Sequence, residues 1–265
     1  MNDIVQGVFR PDALAGRSAL VFGASSGIGL ASARQLAAMG ARVVLLARSE
    51  EKLRAAAEAI AQDFGVPATW EVCDLADEAA LQAVLQRQQD VDILVTNCGG
   101  PPIGPFAELP LPAWDEAYRQ VIRAVVQATR HLVPRMAERG FGRVVMIASR
   151  TVERPLPGLA ISNALRRALV GLAESIAGEY ARFGVSANLV CPGLTETDRM
   201  RQMLKLRAEN SGRPQEEVLA DMLKPIAAAR AAQPEEIASA VGWLCTEAAG
   251  FVQAQSIIID GGQAL

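Results

Sequence analysis

The sequence predicts an α/β protein with a doubly wound, parallel sheet of about seven strands. Short, uninterrupted apolar runs alternate with amphipathic segments along the 265-residue chain, and such runs are typical of strands covered by helices on both faces. A glycine-rich turn over 23–29 joins the first apolar run to the first amphipathic segment. No shift in composition marks a boundary, so we expect a single domain over residues 1–265 with right-handed crossovers.

Each strand is expected at a mostly apolar run bounded by glycine, proline or polar residues. The expected strands are Ser18–Phe22, Arg42–Ala47, Ala68–Cys73, Val91–Thr96, Arg143–Ala148, Val185–Val190 and Ser256–Ile259. Helical periodicity predicts helices over Ile28–Met39, Glu50–Asp63, Asp77–Gln89, Trp114–Met136, Leu159–Arg182 and Pro234–Thr246. Either Asp74 or Asp77 is suited to cap the third of these helices.

Three segments fall outside this alternation. Residues 1–16 are expected to be a surface lead-in, and prolines make Gly99–Pro112 a loop. Residues 192–225 are charged and irregular, with a helical stretch around Arg199–Glu209. We expect this last segment to be a lid that carries substrate specificity.

The composition is that of a globular protein and excludes several classes of function. The net charge of −3 offers no basic surface for nucleic acid, and no window is long and apolar enough to span a membrane. The four cysteines are scattered without a Cys-x-x-Cys pair, which predicts reduced thiols, no metal site and a cytoplasmic location.

The glycine turn is the first candidate binding site. A strand that turns sharply into a helix presents unpaired backbone N–H groups and the positive end of the helix dipole, which together suit a pyrophosphate. In a parallel sheet the loops after the strands meet at the carboxyl edge. The loops after Phe22, Ala47, Cys73, Thr96, Ala148 and Val190 are therefore expected to share one cleft.

Motifs at five places, in order along the chain, resemble those of the classical short-chain dehydrogenase/reductases, and among them the 3-oxoacyl-carrier-protein reductases. The matching residues are Gly23-Ala-Ser-Ser-Gly-Ile-Gly29, Asp74, Thr96-Asn97-Cys98-Gly99, Cys191-Pro192-Gly193-Leu194-Thr195 and Asp260-Gly261-Gly262. The resemblance implies a Rossmann fold and a nicotinamide cofactor. It assigns cofactor contacts to Gly23, Ser25, Ser26, Gly27, Ile28, Gly29, Asp74, Leu75, Asn97, Gly99, Arg166, Pro192, Gly193 and Thr195.

The second strand indicates which nicotinamide cofactor is bound. A carboxylate at its end would hold the ribose 2′-hydroxyl of NAD and repel a 2′-phosphate. This strand instead ends in Ala47-Arg48, and a guanidinium can hold a phosphate through two N–H bonds. We therefore expect NADP(H) rather than NAD(H), although Arg48 could also be an ordinary surface arginine at the start of a helix.

The catalytic half of the resemblance is incomplete. Ser149 matches the family's serine, which orients the substrate oxygen, but the family's Tyr-x-x-x-Lys pair is replaced by Ser162 and Arg166. Val121 stands where the family has an asparagine on the preceding helix. Neither Tyr118 nor Tyr180 forms a Tyr-x-x-x-Lys pair in any register.

These replacements leave two main hypotheses. A serine hydroxyl is a far weaker acid than a phenol of pKa about 10, and arginine stays protonated, so loss of the tyrosine costs about 10²–10⁴ in rate. The chain is therefore either an NADP(H)-dependent oxidoreductase acting on a carbonyl or alcohol with an altered acid, or a weak or inactive cofactor-binding pseudoenzyme. Non-redox chemistry has no positive support in the sequence.

Two further expectations concern partners. Arg150, Arg154, Arg166 and Arg167 would favour an anionic substrate such as an acyl thioester, unless they are simply solvated surface arginines. The resemblance also implies a homo-oligomer, a dimer or tetramer, formed through the two long helices. The apolar faces for such contacts, which a helix packed on its own sheet would also have, are Ala124, Val125, Val126 and Ala128 with Ala168, Leu172 and Ala173.

Overall fold

A computed structural model describes residues 9–263 and contains one seven-stranded, all-parallel sheet. The strands are β1 Ser18–Phe22, β2 Arg42–Ala47, β3 Ala68–Val72, β4 Ile93–Thr96, β5 Gly142–Ile147, β6 Val185–Pro192 and β7 Ser256–Ile259. Their order across the sheet is β3-β2-β1-β4-β5-β6-β7, which confirms the predicted doubly wound architecture. The direction of winding reverses between β1 and β4.

The helices cover both faces of this sheet. They are α1 Gly27–Ala38, α2 Glu50–Phe64, α3 Glu78–Arg87, α4 Leu111–Tyr118, α5 Ala124–Glu138, α6 Ala160–Tyr180, α7 Asp198–Ser211, α8 Gln215–Leu223 and α9 Pro234–Cys245. One apolar core joins α3, α5 and α6 to the sheet, and the other joins α1, α2 and α9 to its opposite face. In β1, Leu20 and Phe22 face the first core while Ala19 and Val21 face the second, as the two-residue strand period requires.

The predicted helix over Trp114–Met136 is longer and less regular than its sequence pattern suggests. It begins at Leu111, and a π-helical turn over Arg119–Arg123 separates α4 from α5. Such turns are frequent at functional sites. Here the turn contains Val121, which is 1% exposed and packed in the core.

The segment 192–225 is largely helical. The predicted helical stretch around Arg199–Glu209 corresponds to α7, whereas α8 lies where irregular structure was expected. The segment contains α7 and α8, whose small core of Ala208, Val218 and Met222 is separate from the two cores on the sheet. A local pattern of many charges and few apolar residues obscured α8, because only three buried side chains join it to α7.

The lead-in predicted over 1–16 is described from residue 9 onward, and residues 1–8 lie outside the described part of the chain. Phe9 is exposed, but Leu14 is buried in the core and its backbone N–H donates to the carbonyl of Met39 at 2.7 Å. The lead-in is therefore only partly a surface segment.

The apolar stripes on α5 and α6 belong in large part to the core of the single chain. Ala124, Val125, Ala128 and Ala173 are buried against the sheet and cannot form an intersubunit face, whereas Val126, Ala168 and Leu172 are at least partly exposed. Within residues 9–263, no helix is long and apolar enough to cross a membrane, and no group of three or more metal-ligating side chains is found.

Candidate functional site

The candidate site lies at the carboxyl edge of the sheet, beside the point where the winding reverses between β1 and β4. Ligands of open α/β sheets bind in this crevice. The loops that follow β1, β4 and β5 carry the glycine turn, Asn97 and Ser149, and β6 leads into the segment that contains α7 and α8. The topology therefore brings together the segments that the sequence placed in one cleft.

The glycine turn leaves room for backbone only. Gly23 and Gly27 have φ values of +62° and +56°, in the left-handed region that favours glycine. A β-carbon at Gly29 would collide with the Gly23 carbonyl oxygen, so a larger residue cannot fit there. The helix that follows has Ser26 as its N-cap without a side-chain capping bond, which leaves its first N–H groups available to an anion. This cradle fits the pyrophosphate of a dinucleotide.

Asn97 packs its side chain directly onto this turn. Its amide nitrogen lies 2.7 Å from where a β-carbon on Gly23 would be, and 3.0 Å from the same position on Gly29. The loop after β4 and the loop after β1 therefore form one wall. Ala24 joins this wall to β2, since its N–H donates to the Leu46 carbonyl at 3.2 Å.

The side chains expected around the adenosine half follow β2 and β3. Arg48 is exposed just after β2, and no salt bridge or hydrogen bond of its side chain is found within residues 9–263. Asp74 is half-buried after β3, and its carboxylate accepts the Ala76 N–H at 3.0 Å. The predicted cap of α3 is Asp77 rather than Asp74, because Asp77 accepts the Ala80 N–H at 2.9 Å.

The segment 192–225 reaches the glycine turn through a residue that was not among the predicted site residues. The methyl carbon of Thr197, the N-cap of α7, lies 3.1 Å from where a β-carbon on Gly27 would be. Thr195, which was predicted to contact the cofactor, is buried and donates its hydroxyl to the Gly193 carbonyl at 3.2 Å. The only signal for Thr197 in the sequence was that it is a threonine two residues after the predicted Thr195.

Gly193 has a close contact of its own. A β-carbon there would lie 2.6 Å from the β-carbon of Asp260, and the Gly193 N–H donates to the Ile259 carbonyl at 2.8 Å. The Pro192-Gly193 pair and the Asp260-Gly261-Gly262 ending therefore meet across the ends of β6 and β7.

Ser149 follows β5 and caps a short 3₁₀ turn. Its half-buried hydroxyl accepts the Thr151 N–H at 3.3 Å. Its backbone N–H faces the thiol of Cys191, whose pKa is raised to about 12 by burial. The segment after this turn is anchored by Asn163 on α6, which donates to the Leu156 carbonyl at 2.9 Å and accepts its N–H at 3.3 Å.

Ser162 and Arg166 lie on successive turns of α6, so both point to the same side of the helix. Arg166 is 7% exposed, and its guanidinium donates to the carbonyls of Ile147 and Ala148 at 2.7 and 3.0 Å. Another of its nitrogens lies 3.9 Å from the Cys98 sulfur. A cavity of about 10 Å³ is lined by Arg166, Cys98 and Val121 together.

The tyrosines do not supply the missing phenol in the described structure. Tyr118 is exposed at the end of α4, in a groove with Arg119 and Arg123. Tyr180, at the end of α6, packs against the core. Ser149 and Ser162 therefore offer hydroxyl groups and Arg166 a permanent positive charge, and none of these is an effective proton donor at neutral pH.

The fold and the glycine cradle together define a dinucleotide-binding protein of the Rossmann type. Comparison with known sequences agrees, since residues 23–264 match the family described as enoyl-(acyl carrier protein) reductase. Dehydrogenase/reductase SDR family member 4 of Oryctolagus cuniculus is 32% identical over 261 residues, which cover 97% of this chain and 96% of that protein. The chain belongs to the short-chain dehydrogenase/reductase family, a family of NAD(P)-dependent oxidoreductases.

Two solved structures illustrate the similarity. L-Sorbose reductase from Gluconobacter frateurii, in complex with NADPH and L-sorbose, superposes with a TM-score of 0.90 at 30% identity, covering 96% of this chain and 98% of that one. A variant of the actinorhodin polyketide ketoreductase with NADPH gives a TM-score of 0.86 at 34% identity, covering 93% and 97%. Both proteins contain NADPH in those structures.

Proposed function

We propose that this protein is an NADP(H)-dependent oxidoreductase that interconverts a carbonyl and an alcohol at the carboxyl edge of the sheet. The observation that carries the proposal is the glycine cradle. The backbone and Asn97 crowd Gly23 and Gly29 so closely that neither position accepts a larger residue, and the turn is open only to a ligand such as a pyrophosphate. The NADPH-containing structures of L-sorbose reductase and actinorhodin ketoreductase, at 30% and 34% identity, support the choice of NADP(H).

In this proposal the cofactor extends across the switch point. The turn residues Gly23, Ser25, Ser26, Gly27, Ile28 and Gly29 hold the pyrophosphate, and Arg48 holds the 2′-phosphate. Asp74 and Leu75 border the adenine. The nicotinamide end is held by Asn97, Gly99, Arg166, Pro192, Gly193 and Thr195. We add Thr197 to the residues around the pyrophosphate, because its methyl carbon lies beside Gly27.

The chain's own residues would bind and polarise the substrate. Bound NADPH supplies a hydride to the carbonyl carbon. The Ser149 and Ser162 hydroxyls donate hydrogen bonds to the carbonyl oxygen, and Arg166 stabilises the negative charge that develops there. The proton that completes the alcohol comes from water, since no side chain of suitable pKa is expected beside the oxygen.

A second candidate function is a cofactor-binding pseudoenzyme, and one contact favours it. The Arg166 guanidinium donates to the carbonyls of Ile147 and Ala148, which is a structural role rather than a catalytic one. In that case NADP(H) would serve as a sensed or structural ligand.

Binding and turnover are tested separately. NADPH binding is measured by fluorescence titration, and NADPH oxidation is followed at 340 nm with a panel of ketones, keto acids and acyl thioesters. The oxidoreductase proposal predicts turnover that Ser149→Ala lowers by about 10–10³-fold, by loss of a polarising hydrogen bond. NADPH binding without turnover of any substrate would contradict the oxidoreductase proposal and favour the pseudoenzyme.

A gain-of-function variant sharpens the distinction. Ser162→Tyr with Arg166→Lys restores the residue types of the family pair, and we expect an increase in rate of up to about 10²–10⁴-fold from the regained acid. An unchanged or lower rate would indicate that the native site uses a different proton route.

We further propose that the protein acts in the cytoplasm as a homo-oligomer. Sedimentation analysis would test the oligomeric state.

A further inference from the structure

Arg199 on the lid connects α7 to the loop after β4 at the mouth of the cleft. Its guanidinium donates to the Pro101 carbonyl at 2.6 Å. It also covers Gly100 so closely that a β-carbon there would lie 2.8 Å from the Arg199 Nε. Glycine at position 100 therefore provides the surface on which the guanidinium rests.

The positive charge at this place has no carboxylate partner within the described residues. Neither Arg199 nor Arg166 forms a salt bridge there, whereas the lid arginines Arg201 and Arg213 pair with Asp198 and Asp221 at 2.6 and 2.8 Å. Although Arg199 is an exposed residue, partial desolvation of its guanidinium and the nearby charge of Arg166 lower its pKa. Arg199 is exposed at the rim, whereas Arg166 is 7% exposed and lies deeper. Because arginine remains protonated, two like charges lie here without a carboxylate partner, and an anionic ligand at the rim would reduce their mutual repulsion.

The guanidinium of Arg199 also has hydrogen-bond donors that are free to bind a ligand. Only one of its N–H groups is used, by Pro101, so the Nε and Nη1 groups and the second N–H of Nη2 have no protein partner within residues 9–263. A guanidinium with two adjacent free donors can bind a carboxylate or a phosphate through two parallel hydrogen bonds.

The cofactor's own phosphates have other partners in the proposed binding mode. The pyrophosphate lies at the N-terminus of α1 and the 2′-phosphate beside Arg48, on the β1–β2 side of the switch point. Arg199 instead contacts Pro101 in the loop after β4, and this loop pairs with the loop after β5 through the Gly104 N–H and the Gly158 carbonyl at 3.0 Å. Ser149, where the substrate carbonyl is proposed to bind, belongs to the loop after β5.

We propose that Arg199 binds an anionic group of the substrate, a carboxylate or a phosphate, at the rim formed by Gly100 and Pro101. The proposal rests on the oxidoreductase function above and specifies its substrate class as an anionic carbonyl compound or alcohol. Arg166 strengthens the local positive field from deeper in the cleft.

The test compares, on the NADP⁺-loaded protein, the binding of small ligands that carry an anionic group with that of their neutral analogues. Calorimetry measures the binding of acetoacetate against methyl acetoacetate, and of dihydroxyacetone phosphate against dihydroxyacetone. We expect at least one anion to bind about tenfold or more tightly than its neutral partner, as is typical of a charge-assisted hydrogen bond. The pair that shows the preference distinguishes a carboxylate ligand from a phosphate ligand.

Three variants assign the preference to this residue. Arg199→Gln should abolish it, and Gly100→Ala should reduce it by displacing the guanidinium while the arginine is retained. Arg201→Gln is the matched control, because Arg201 is an exposed arginine on the same helix that already pairs with Asp198. It should leave the preference unchanged.

NADPH affinity, measured on the same variants, separates the outcomes. A wild-type protein without preference for either anion, or a loss of NADPH affinity in Arg199→Gln as large as the loss of anion affinity, would overturn the proposal and assign Arg199 to the cofactor. Anion binding that depends on Arg199 without any turnover would support the subsite and contradict only the oxidoreductase function.

Discussion

The amide nitrogen of Asn97 lies 2.7 Å from where a β-carbon on Gly23 would be, so a side chain after β4 fills the space that a glycine after β1 leaves free. Two loops from neighbouring parallel strands thus shape one binding wall. The same amide lies 3.0 Å from the corresponding position on Gly29. The cradle therefore depends on glycine at both positions and on asparagine at the third.

A methyl group at Gly29 should destroy this cradle. Gly29→Ala places a β-carbon against the Gly23 carbonyl, so we expect the turn to shift and NADPH affinity to fall by more than about tenfold, with lower stability. Fluorescence titration and urea unfolding measure both effects. The control is Gly171→Ala, at an exposed position in α6 with nothing within 4 Å, which should raise stability by up to about 1 kcal/mol. Equal NADPH affinity in the two variants would contradict the proposed pyrophosphate site.

Reversal of charge at Arg48 should change the cofactor preference. Arg48→Glu replaces a phosphate-binding donor by an acceptor for ribose hydroxyls, so NADPH should bind about 10–100-fold more weakly while NADH binding holds or improves. Titrations with both cofactors give the ratio. Arg54→Gln, an exposed arginine on α2, should leave that ratio unchanged. The assignment of Arg48 fails if both variants behave alike.

Arg166 should matter for stability as well as for the site. Arg166→Met removes the donors to the Ile147 and Ala148 carbonyls, and an unsatisfied buried carbonyl costs about 1–3 kcal/mol. Urea unfolding should show this loss of free energy of unfolding. Arg130→Met, at an exposed position on α5, should change stability by less than about 0.5 kcal/mol. A neutral result for Arg166→Met would mean that the two carbonyls find other donors.

The four cysteines should differ sharply in reactivity. Cys73, Cys191 and Cys245 are buried, and burial raises the pKa of their thiols to about 11, 12 and 12, respectively. Thiols with raised pKa stay protonated at pH 8 and react slowly. Ellman's reagent should therefore label only the half-buried Cys98 quickly in the folded protein and all four cysteines in denaturant. Cys98→Ser should abolish the fast phase, and fast labelling that persists would place an accessible thiol elsewhere.

Glu236 should give the protein an acid-sensitive contribution to stability. The side chain of Arg230 lowers the pKa of Glu236 to about 2, and the Gln233 N–H adds to the effect. Since the folded-state pKa lies below the usual 4.5, the contribution is present above about pH 4.5 and is lost as the pH falls towards 2. The difference in Tm between wild type and Glu236→Gln should thus shrink on acidification from pH 6 to pH 2. Glu235→Gln, one residue earlier, is the control, and a difference that stays constant with pH would contradict the assignment.

Much of the fold is predictable from the sequence because local patterns specify it. Strands β1, β4, β5 and β6 are buried along their whole length, so their mostly apolar runs are easily detected, whereas the edge strands β3 and β7 are partly exposed. Helix α8 was missed because the few buried side chains of α7 and α8 pack on each other rather than on the sheet. The π turn around Val121 was also not predictable, since its residues have ordinary helical periodicity.

The sequence by itself determined the Rossmann architecture, the glycine turn and the absence of a Tyr-x-x-x-Lys pair, because each of these depends on residue type and spacing along the chain. Only the tertiary structure decided that Thr197 meets Gly27, that Arg166 binds the β5 carbonyls, and that Arg199 rests on Gly100. The physical reason is that these contacts join segments roughly 20–170 residues apart, and their geometry follows from how crossovers and the lid pack on the sheet.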